Sequence, residues 1–517
     1  MRSRVLIFGI DGGTFNVIGP MLEAGRLPNL ARLKAEGAAG TLFTVCPPLT
    51  APAWATFQTG LNPGRHGVFD FLAPPRHGYY RRLQNASALT AARIFDTLSS
   101  AGRTVGAVNV PLTFPPRAVN GFVIPGMLTP YFADKHLYPP SLGAEIRRVG
   151  EYFIDMNPAN FEEVPDETFA EDLYRVAEAR KKIALYLWKS RRPDLFAVVF
   201  TGVDRLMHFY WDKAELVRRH YEWLDAALGE FIEAGDEGVT TLVMSDHGFG
   251  PAEGEVDLAR HLIRHDFMTL KKTKNPSPRR VMDAFAKLDV LNLRKRLPQR
   301  WRAAARGRVM ERLSVFAAVD WKRTKAFPGT ATQYGVYLNV AGREPQGIVD
   351  RADYEKVRDD LAAGLEELHA GLGGRVVRRE EVYHGPFVDD APDIYLPLWE
   401  EGIRLREFSD DPAVAPRRRR AGEHRREGIL FARGPSVSPG SAPDGATLAD
   451  VYPTATYLMK EAVPAGLDGR VLAEILTPEA LSAAPPVYLD YDVGGSGYAD
   501  GEDAEVRARL ESMGYLG

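Results

Sequence analysis

Cysteine is almost missing from this chain of 517 residues: Cys46 is the single one. No intramolecular disulfide can form, and no thiolate cluster can hold a metal. Long apolar runs are missing too. Val5–Ile10 and Leu195–Phe200 span six residues each, against the ~20 that a membrane-crossing helix needs, so no transmembrane segment is expected. The first run leads into Asp11-Gly12-Gly13 rather than a small-residue cleavage site, which argues against a secretory leader. These absences make the cytoplasm the expected compartment. Neither sign of charge is in excess. Lys and Arg number 65 against 68 Asp and Glu, a net of −3. Nothing therefore pulls the whole chain toward nucleic acid or anionic membranes, and no nucleic-acid partner is expected. Repeats of fixed period and long low-complexity tracts are absent as well.

What is present is an ordinary globular composition, 45% hydrophobic and 26% charged, in a chain long enough to bury sizeable cores. Its length is a prior for about three domains at roughly 150 residues each. Short apolar runs alternate with helical periods. Val5–Ile10, Thr104–Val110, Leu195–Phe200 and Val239–Met244 read as strands, and Leu30–Glu36, Asp172–Lys189 and Arg205–Trp211 as helices. That order predicts a doubly wound, mostly parallel α/β sheet with helices on both faces. Working residues in such sheets lie just past the carboxyl ends of strands. Three of the runs lead into Asp11, Asp204 and Asp246.

The expected organisation is a catalytic core over 1–265, an inserted α+β cap module over 266–374, a second part of the core over 375–483, and a tail over 484–517. Tyr334–Val340 reads as a strand and Asp353–His369 as a helix of the module. Asp393–Leu396 and Ile429–Ala432 are expected to return to the main sheet. The tail ends in a short helix at Asp503–Met513. Segment 271–312 carries fourteen Lys or Arg against three acids. This local charge of +11 (14 − 3) predicts a cap that helps attract an anionic substrate.

Asp204 and His208 stand four apart after a strand, so a helix puts both on one face. Asp246 and His247 are adjacent in a Gly-flanked turn, and His424 lies in Gly422-Glu-His-Arg-Arg-Glu-Gly428 on a loop before a strand. Mixed Asp/His sets suit zinc, or manganese where oxygen ligands dominate. Taken singly, each residue reads as a cap or a solvated loop position. Their shared placement at strand ends is what suggests a common site. Thr50 precedes Pro52, which suits the first turn of a helix with Thr50 at or near its N-cap. The positive end of a helix also favours a bound phosphate.

Together these residues resemble the alkaline phosphatase superfamily. The residues that carry the likeness are Asp11, the Thr50-x-Pro helix start, Thr59-Gly60-Leu with His66-Gly67, Asp204-x-x-x-His208, Ser245-Asp246-His247-Gly248 and Gly422-x-His424. The branch it is most similar to is the type I phosphodiesterase/nucleotide pyrophosphatase group. Within that branch, Gly67–Phe71, Asn109–Pro116 and Met513–Gly517 look like prokaryotic phosphohydrolases or phosphomutases. The resemblance implies two divalent metal ions. Asp11, Thr50, Asp246 and His247 would hold one, and Asp204, His208 and His424 the other. It further implies Thr50 as nucleophile and a phosphothreonine intermediate, which suits two ions ~4 Å apart clamping an in-line displacement at phosphorus.

One position departs from that pattern. Related diesterases carry an Asn where this chain has Phe71 after Asp70; phenylalanine cannot donate a hydrogen bond, and a carboxylate repels phosphate. Arg205, with its planar fork, is the expected replacement, and Asn109 the next. Cys46 resembles a sulfatase signature that needs an Arg where Thr50 stands, so it reads as a packing residue. His66 is expected to shape a turn, His384 to sit in an ordinary loop, Tyr210 and Trp211 to form core or pocket wall, and Arg417–Arg420 to be solvated.

The expected activity is hydrolysis of a small anionic phosphodiester or phosphomonoester. A phosphotransferase or phosphomutase on the same site differs only in its acceptor. A non-catalytic protein binding anions or a membrane surface through 271–312 is the alternative of another class.

Overall fold

Alternate residues of the first apolar run face opposite ways and enter two different cores. In the computed structural model, which describes residues 3–76, 78–79, 82–156, 165–271, 315–369, 375–406 and 421–490, Leu6, Phe8 and Ile10 join one hydrophobic cluster while Val5 and Ile7 join the other. A strand buried on both faces sits at the middle of a sheet. Six strands precede residue 245: β1 (Arg4–Ile10), β2 (Ala38–Phe43), β3 (Val105–Val108), β4 (Gly121–Ile124), β5 (Leu195–Phe200) and β6 (Val239–Met244). With the strand Glu427–Arg433 they form a seven-stranded sheet, in the order β2, Glu427–Arg433, β6, β1, β5, β3, β4. The first six run parallel, and Glu427–Arg433 pairs antiparallel with both β2 and β6. This is the expected doubly wound α/β architecture, with one reversed strand. Each large apolar side chain taken out of water here contributes ~1.5–3 kcal/mol.

Gly9 shows how the sheet places the helix Thr50–Thr59. A Cβ at Gly9 would come within 2.8 Å of the Trp54 ring, and Trp54 is wholly buried. The glycine lets this helix lie against β1, so that its first residue reaches the carboxyl end of the strand. The short helix Pro63–His66 follows. Its His66 accepts from Val68 N through Nδ1 at 3.1 Å and donates from Nε2 to Thr56 Oγ1 at 3.0 Å. Burial pushes the His66 imidazole down to about 3. The unfolded chain takes up a proton near pH 6.5, so the native state loses stability as pH falls from 6.5 toward 3, by up to ~1.4 kcal/mol per unit for this residue. Thermal melts of the chelated protein at pH 7 and pH 5 should show a smaller acid loss for His66→Gln than for wild type. Equal losses would mean that His66 does not contribute.

A second, four-stranded antiparallel sheet is built from Ala326–Pro328, Gly335–Leu338, Val377–Arg378 and Ile394–Tyr395. It has its own cluster, from Leu258 to Leu405. The expectation that 393–396 returns to the main sheet is corrected here, since Ile394 and Tyr395 pair with Val336 and Gly335. The buried Asp393 carboxylate accepts from Arg343 and Tyr354 of the same module, and these partners lie far from it in sequence. The strand expected at 429–432 does join the main sheet. The module rests on the segment that carries Thr50. Tyr79 stacks on Trp321 at 3.3 Å, Phe387 N donates to Gly64 O at 2.9 Å, and Tyr383 donates to the Cys46 carbonyl. Residues 272–312 of the basic segment, Arg417–Arg420 and Asp503–Met513 lie outside the described residues. Among the described residues no helix is long and apolar enough to cross a membrane.

Candidate metal centre

Most segments that reach the site do so at a strand end or helix start, while His424, expected on a loop, lies within the strand Gly422–Arg425. Asp11 follows β1 directly. Next to it Gly12 adopts φ +73° and donates its amide to Asp246 Oδ1 at 3.1 Å. A side chain there would be strained, and its Cβ would crowd Asp204 at 3.3 Å. Asp204 and His208 lie one turn apart on the helix Gly202–Tyr210. After β6, Ser245 donates to Gly13 O and accepts from Ile429 N, both at 2.9 Å, tying the loops after β1 and β6 to the strand Glu427–Arg433 around Asp246 and His247. The strand Gly422–Arg425 pairs with Gly248–Pro251, placing His424 opposite Phe249. Thr50 is the first residue of its helix and Leu49 the cap, so its hydroxyl is not spent on capping.

Two groups of ligand atoms result. His424 Nε2 lies 3.0 Å from His208 Nε2 and 3.2 Å from Asp204 Oδ1, with His208 Nε2 3.4 Å from the same oxygen. His247 Nε2 lies 3.3 Å from Thr50 Oγ1, 3.3 Å from Asp246 Oδ2 and 3.6 Å from Asp11 Oδ1. Bonds of ~2.0–2.1 Å to one tetrahedral ion imply ligand–ligand edges of about 3.3 Å, which both groups match. Asp204 also comes within 4.8 Å of Asp11 and His247, so the groups adjoin. The His247 and His424 rings stack at 3.6 Å. All seven side chains are buried.

The chemistry of the set calls for cations. Both oxygens of Asp11 and Oδ2 of Asp246 are buried with no hydrogen-bond partner, and uncompensated carboxylates in a dry site cost several kcal/mol each. Burial, together with neighbouring carboxylates, pushes the Asp11 and Asp246 carboxyls well above the ordinary range. Burial also pushes Asp204 upward, but His208, His424 and Arg205 outweigh it and hold its carboxyl well down. Burial, aided by His424, drives the His247 imidazole well below its usual value. His424 Nδ1 donates to Pro48 O at 2.7 Å and His247 Nδ1 to Gly248 O at 3.1 Å. These bonds leave each Nε2 lone pair facing the centre, as a metal ligand requires.

The two expected phosphate donors are committed elsewhere. Buried Arg205 donates to Asp204 Oδ2 at 2.5 Å and to Asp155 Oδ2 at 3.1 Å. Asn109 donates to Val199 O at 2.9 Å. Asp155 is the participant that sequence reasoning missed. It stands in a loop without a motif, and its partner lies 50 residues away. Arg205→Met leaves two buried carboxylates without this counter-charge and should cost ~3–5 kcal/mol. Urea unfolding of the chelated protein would show it, and a loss under 1 kcal/mol would refute the pairing. Asp70 accepts from Thr330 Oγ1 at 3.1 Å, and Phe71 is core. Burial raises the Cys46 thiol to about 12, which disfavours its thiolate. His384 is exposed, bonded to Asn62 and Asp468. Tyr210 donates to Asp166, and Trp211 stacks near Phe249.

The chain matches the type I phosphodiesterase/nucleotide pyrophosphatase family over residues 5–425. No curated protein sequence shows significant similarity to it. Among solved structures, human ectonucleotide pyrophosphatase/phosphodiesterase 5 superposes with a TM-score of 0.53 at 16% identity, covering 92% of this chain and 100% of its own. Phosphonoacetate hydrolase from Sinorhizobium meliloti 1021, in complex with phosphonoformate, gives 0.55 at 18%, with 89% and 95% covered. The murine ectonucleotide pyrophosphatase/phosphodiesterase 5, in an inactive form complexed with AMP, gives 0.51 at 14%, with 92% and 100% covered. At these identities the superpositions speak for the fold. Family match, fold and ligand geometry agree: the chain belongs to the type I phosphodiesterase/nucleotide pyrophosphatase family, hydrolases acting on phosphoric ester bonds.

Proposed function

We propose that this protein hydrolyses a small anionic phosphate ester through a phosphothreonine on Thr50, with two divalent ions, zinc or manganese, held by the two ligand groups. The observation that carries this reading is the position of Thr50 Oγ1, 3.3 Å from His247 Nε2 at the start of a helix. Bound there, two divalent ions would polarise the phosphoryl oxygens and lower the pKa of the Thr50 hydroxyl. Thr50 Oγ then attacks phosphorus, forming one P–O bond as the ester oxygen departs with a proton. Water next attacks the same phosphorus from the opposite side and returns the threonine hydroxyl. The positive end of the helix Thr50–Thr59 faces the phosphoryl group throughout.

The murine neighbour described as inactive has a threonine replaced by alanine and binds AMP, and the bacterial one binds phosphonoformate. AMP is a small anionic phosphate ester of the kind proposed here, and phosphonoformate shares its charged phosphoryl oxygens on a phosphonate. A cytoplasmic site of action is part of the reading, supported by the single cysteine. Acid-quenching a metal-loaded sample during turnover of bis(4-nitrophenyl) phosphate and mapping phosphopeptides tests the mechanism. A 4-nitrophenylphosphoryl group on Thr50 is expected, because the diester loses only one nitrophenol to the threonine, and rapid turnover with no such modified peptide would overturn it.

A further inference from the structure

Asp204 turns one of its two carboxylate oxygens to the histidines and the other away from them. Oδ1 lies 3.2 Å from His424 Nε2 and 3.4 Å from His208 Nε2. Oδ2 accepts from Arg205 Nη1 at 2.5 Å, and the same guanidinium reaches Asp155 Oδ2 through Nη2 at 3.1 Å. The side chains of Asp204, Arg205 and Asp155 are all buried, so bulk water does not loosen these contacts.

A guanidinium beside a cation centre needs a reason, because it repels the ion and cannot shed its charge. Asp155 balances Arg205, which leaves the charge of Asp204 for the ion. What the arrangement then fixes is the number of oxygens. With Oδ2 engaged, the histidine group presents two imidazole nitrogens and one oxygen. Their mutual spacings of 3.0, 3.2 and 3.4 Å outline one face of a tetrahedron. The other group is built differently. Both oxygens of Asp11 and Oδ2 of Asp246 have no hydrogen-bond partner, and Thr50 Oγ1 adds a further oxygen 3.3 Å from His247 Nε2. Three protein ligands rich in nitrogen, with a fourth position open, suit zinc, whereas manganese favours a larger shell of oxygens.

We infer that Arg205 is a positioning residue: anchored by Asp155, it holds Asp204 as a one-oxygen ligand and so fits the histidine group to zinc rather than manganese. Hydrogen bonds to ligating carboxylates orient and tune a metal site in this way. The oxygen-rich group around Asp11 has no such restraint, so the two groups differ in metal preference. This inference rests on the reading of both groups as metal sites and names the ion that one of them selects.

The test titrates the chelated protein with Zn²⁺, Mn²⁺ and Co²⁺ in an Asp246→Ala background, so that the histidine group is filled alone. With Arg205 in place, cobalt should show the intense visible bands of a four-coordinate site. Arg205→Lys keeps the charge but loses the fork that spans two carboxylates. It should weaken Zn²⁺ by roughly 10- to 100-fold, change Mn²⁺ far less, and replace the cobalt bands with the weak ones of a larger ligand shell. Asp155→Asn should move both readouts the same way by less, and it carries the comparison if Arg205→Lys does not fold. A common factor for Zn²⁺ and Mn²⁺ with an unchanged cobalt spectrum is what a purely structural role gives, and it overturns the inference. Weak cobalt bands with Arg205 in place overturn it as well. Hydrolysis of bis(4-nitrophenyl) phosphate by the metal-loaded wild type is scored separately. Its failure would sink the hydrolase reading while leaving the metal preference at Arg205 standing.

Discussion

Thr50→Ala is expected to lose turnover by roughly 10⁴- to 10⁶-fold, the range seen when a covalent nucleophile is removed, while remaining folded, even at divalent-ion concentrations high enough to refill the Thr50–His247 group that the substitution weakens. The hydroxyl meets His247 Nε2 but does not cap its helix, because Leu49 holds that position. Its removal therefore costs the fold only about one ordinary hydrogen bond, ~0.5–1.5 kcal/mol. Thr50→Ser keeps an oxygen at the same place and should retain a measurable part of the rate. Kinetics on the best substrate, with melting curves and metal content for each variant, separate chemistry from folding. Near-normal turnover by a folded Thr50→Ala protein would end the proposal that Thr50 is phosphorylated.

The metal ligands should produce the second large effect. Elemental analysis of wild-type protein is expected to give two divalent ions per chain. His424→Ala should release the ion of the Asp204–His208 group first, and Asp246→Ala the ion of the Thr50–His247 group. Asp204→Ala should hurt both, because its carboxylate lies within 4.8 Å of members of each group. Loss of a ligand should weaken an ion by more than the roughly 10- to 100-fold that an outer-shell partner costs. Chelation should also lower the melting temperature of wild type, since an ion present at 1,000 times its Kd stabilises the fold by ~4 kcal/mol. A wild-type protein that binds no divalent ion, or one whose activity survives complete chelation, would contradict the two-metal reading.

Five of the seven strands of the main sheet were legible because a strand buried on both faces is a short, continuous apolar run, whereas the half-buried Ala38–Phe43 and the four-residue Gly121–Ile124 were not. Leu195–Phe200 and Val239–Met244 begin and end where they were read. Asp11, Asp204 and Asp246 were legible for the same reason, as acids that interrupt such runs. Asp393–Leu396 looks no different from Ile429–Ala432, yet one pairs in the small sheet and the other in the large one. Periodicity specifies that a segment is a strand but not which strand lies beside it.

Local sequence by itself determined the element types, the alternation that implies a doubly wound sheet, and the residue types able to hold cations, because these depend on propensity and spacing within a few positions. The resemblance of the motifs grouped the seven ligands before any distance was known. Only the tertiary structure decided that the guanidinium of Arg205 is spent on Asp204 and Asp155 and that Asn109 is bound to Val199. The reason is that a side chain's role follows from what it meets across the fold. Asp155 and Arg205 stand 50 residues apart, and His424 and Asp204 stand 220 apart, so no local pattern records which charged groups will be buried against each other.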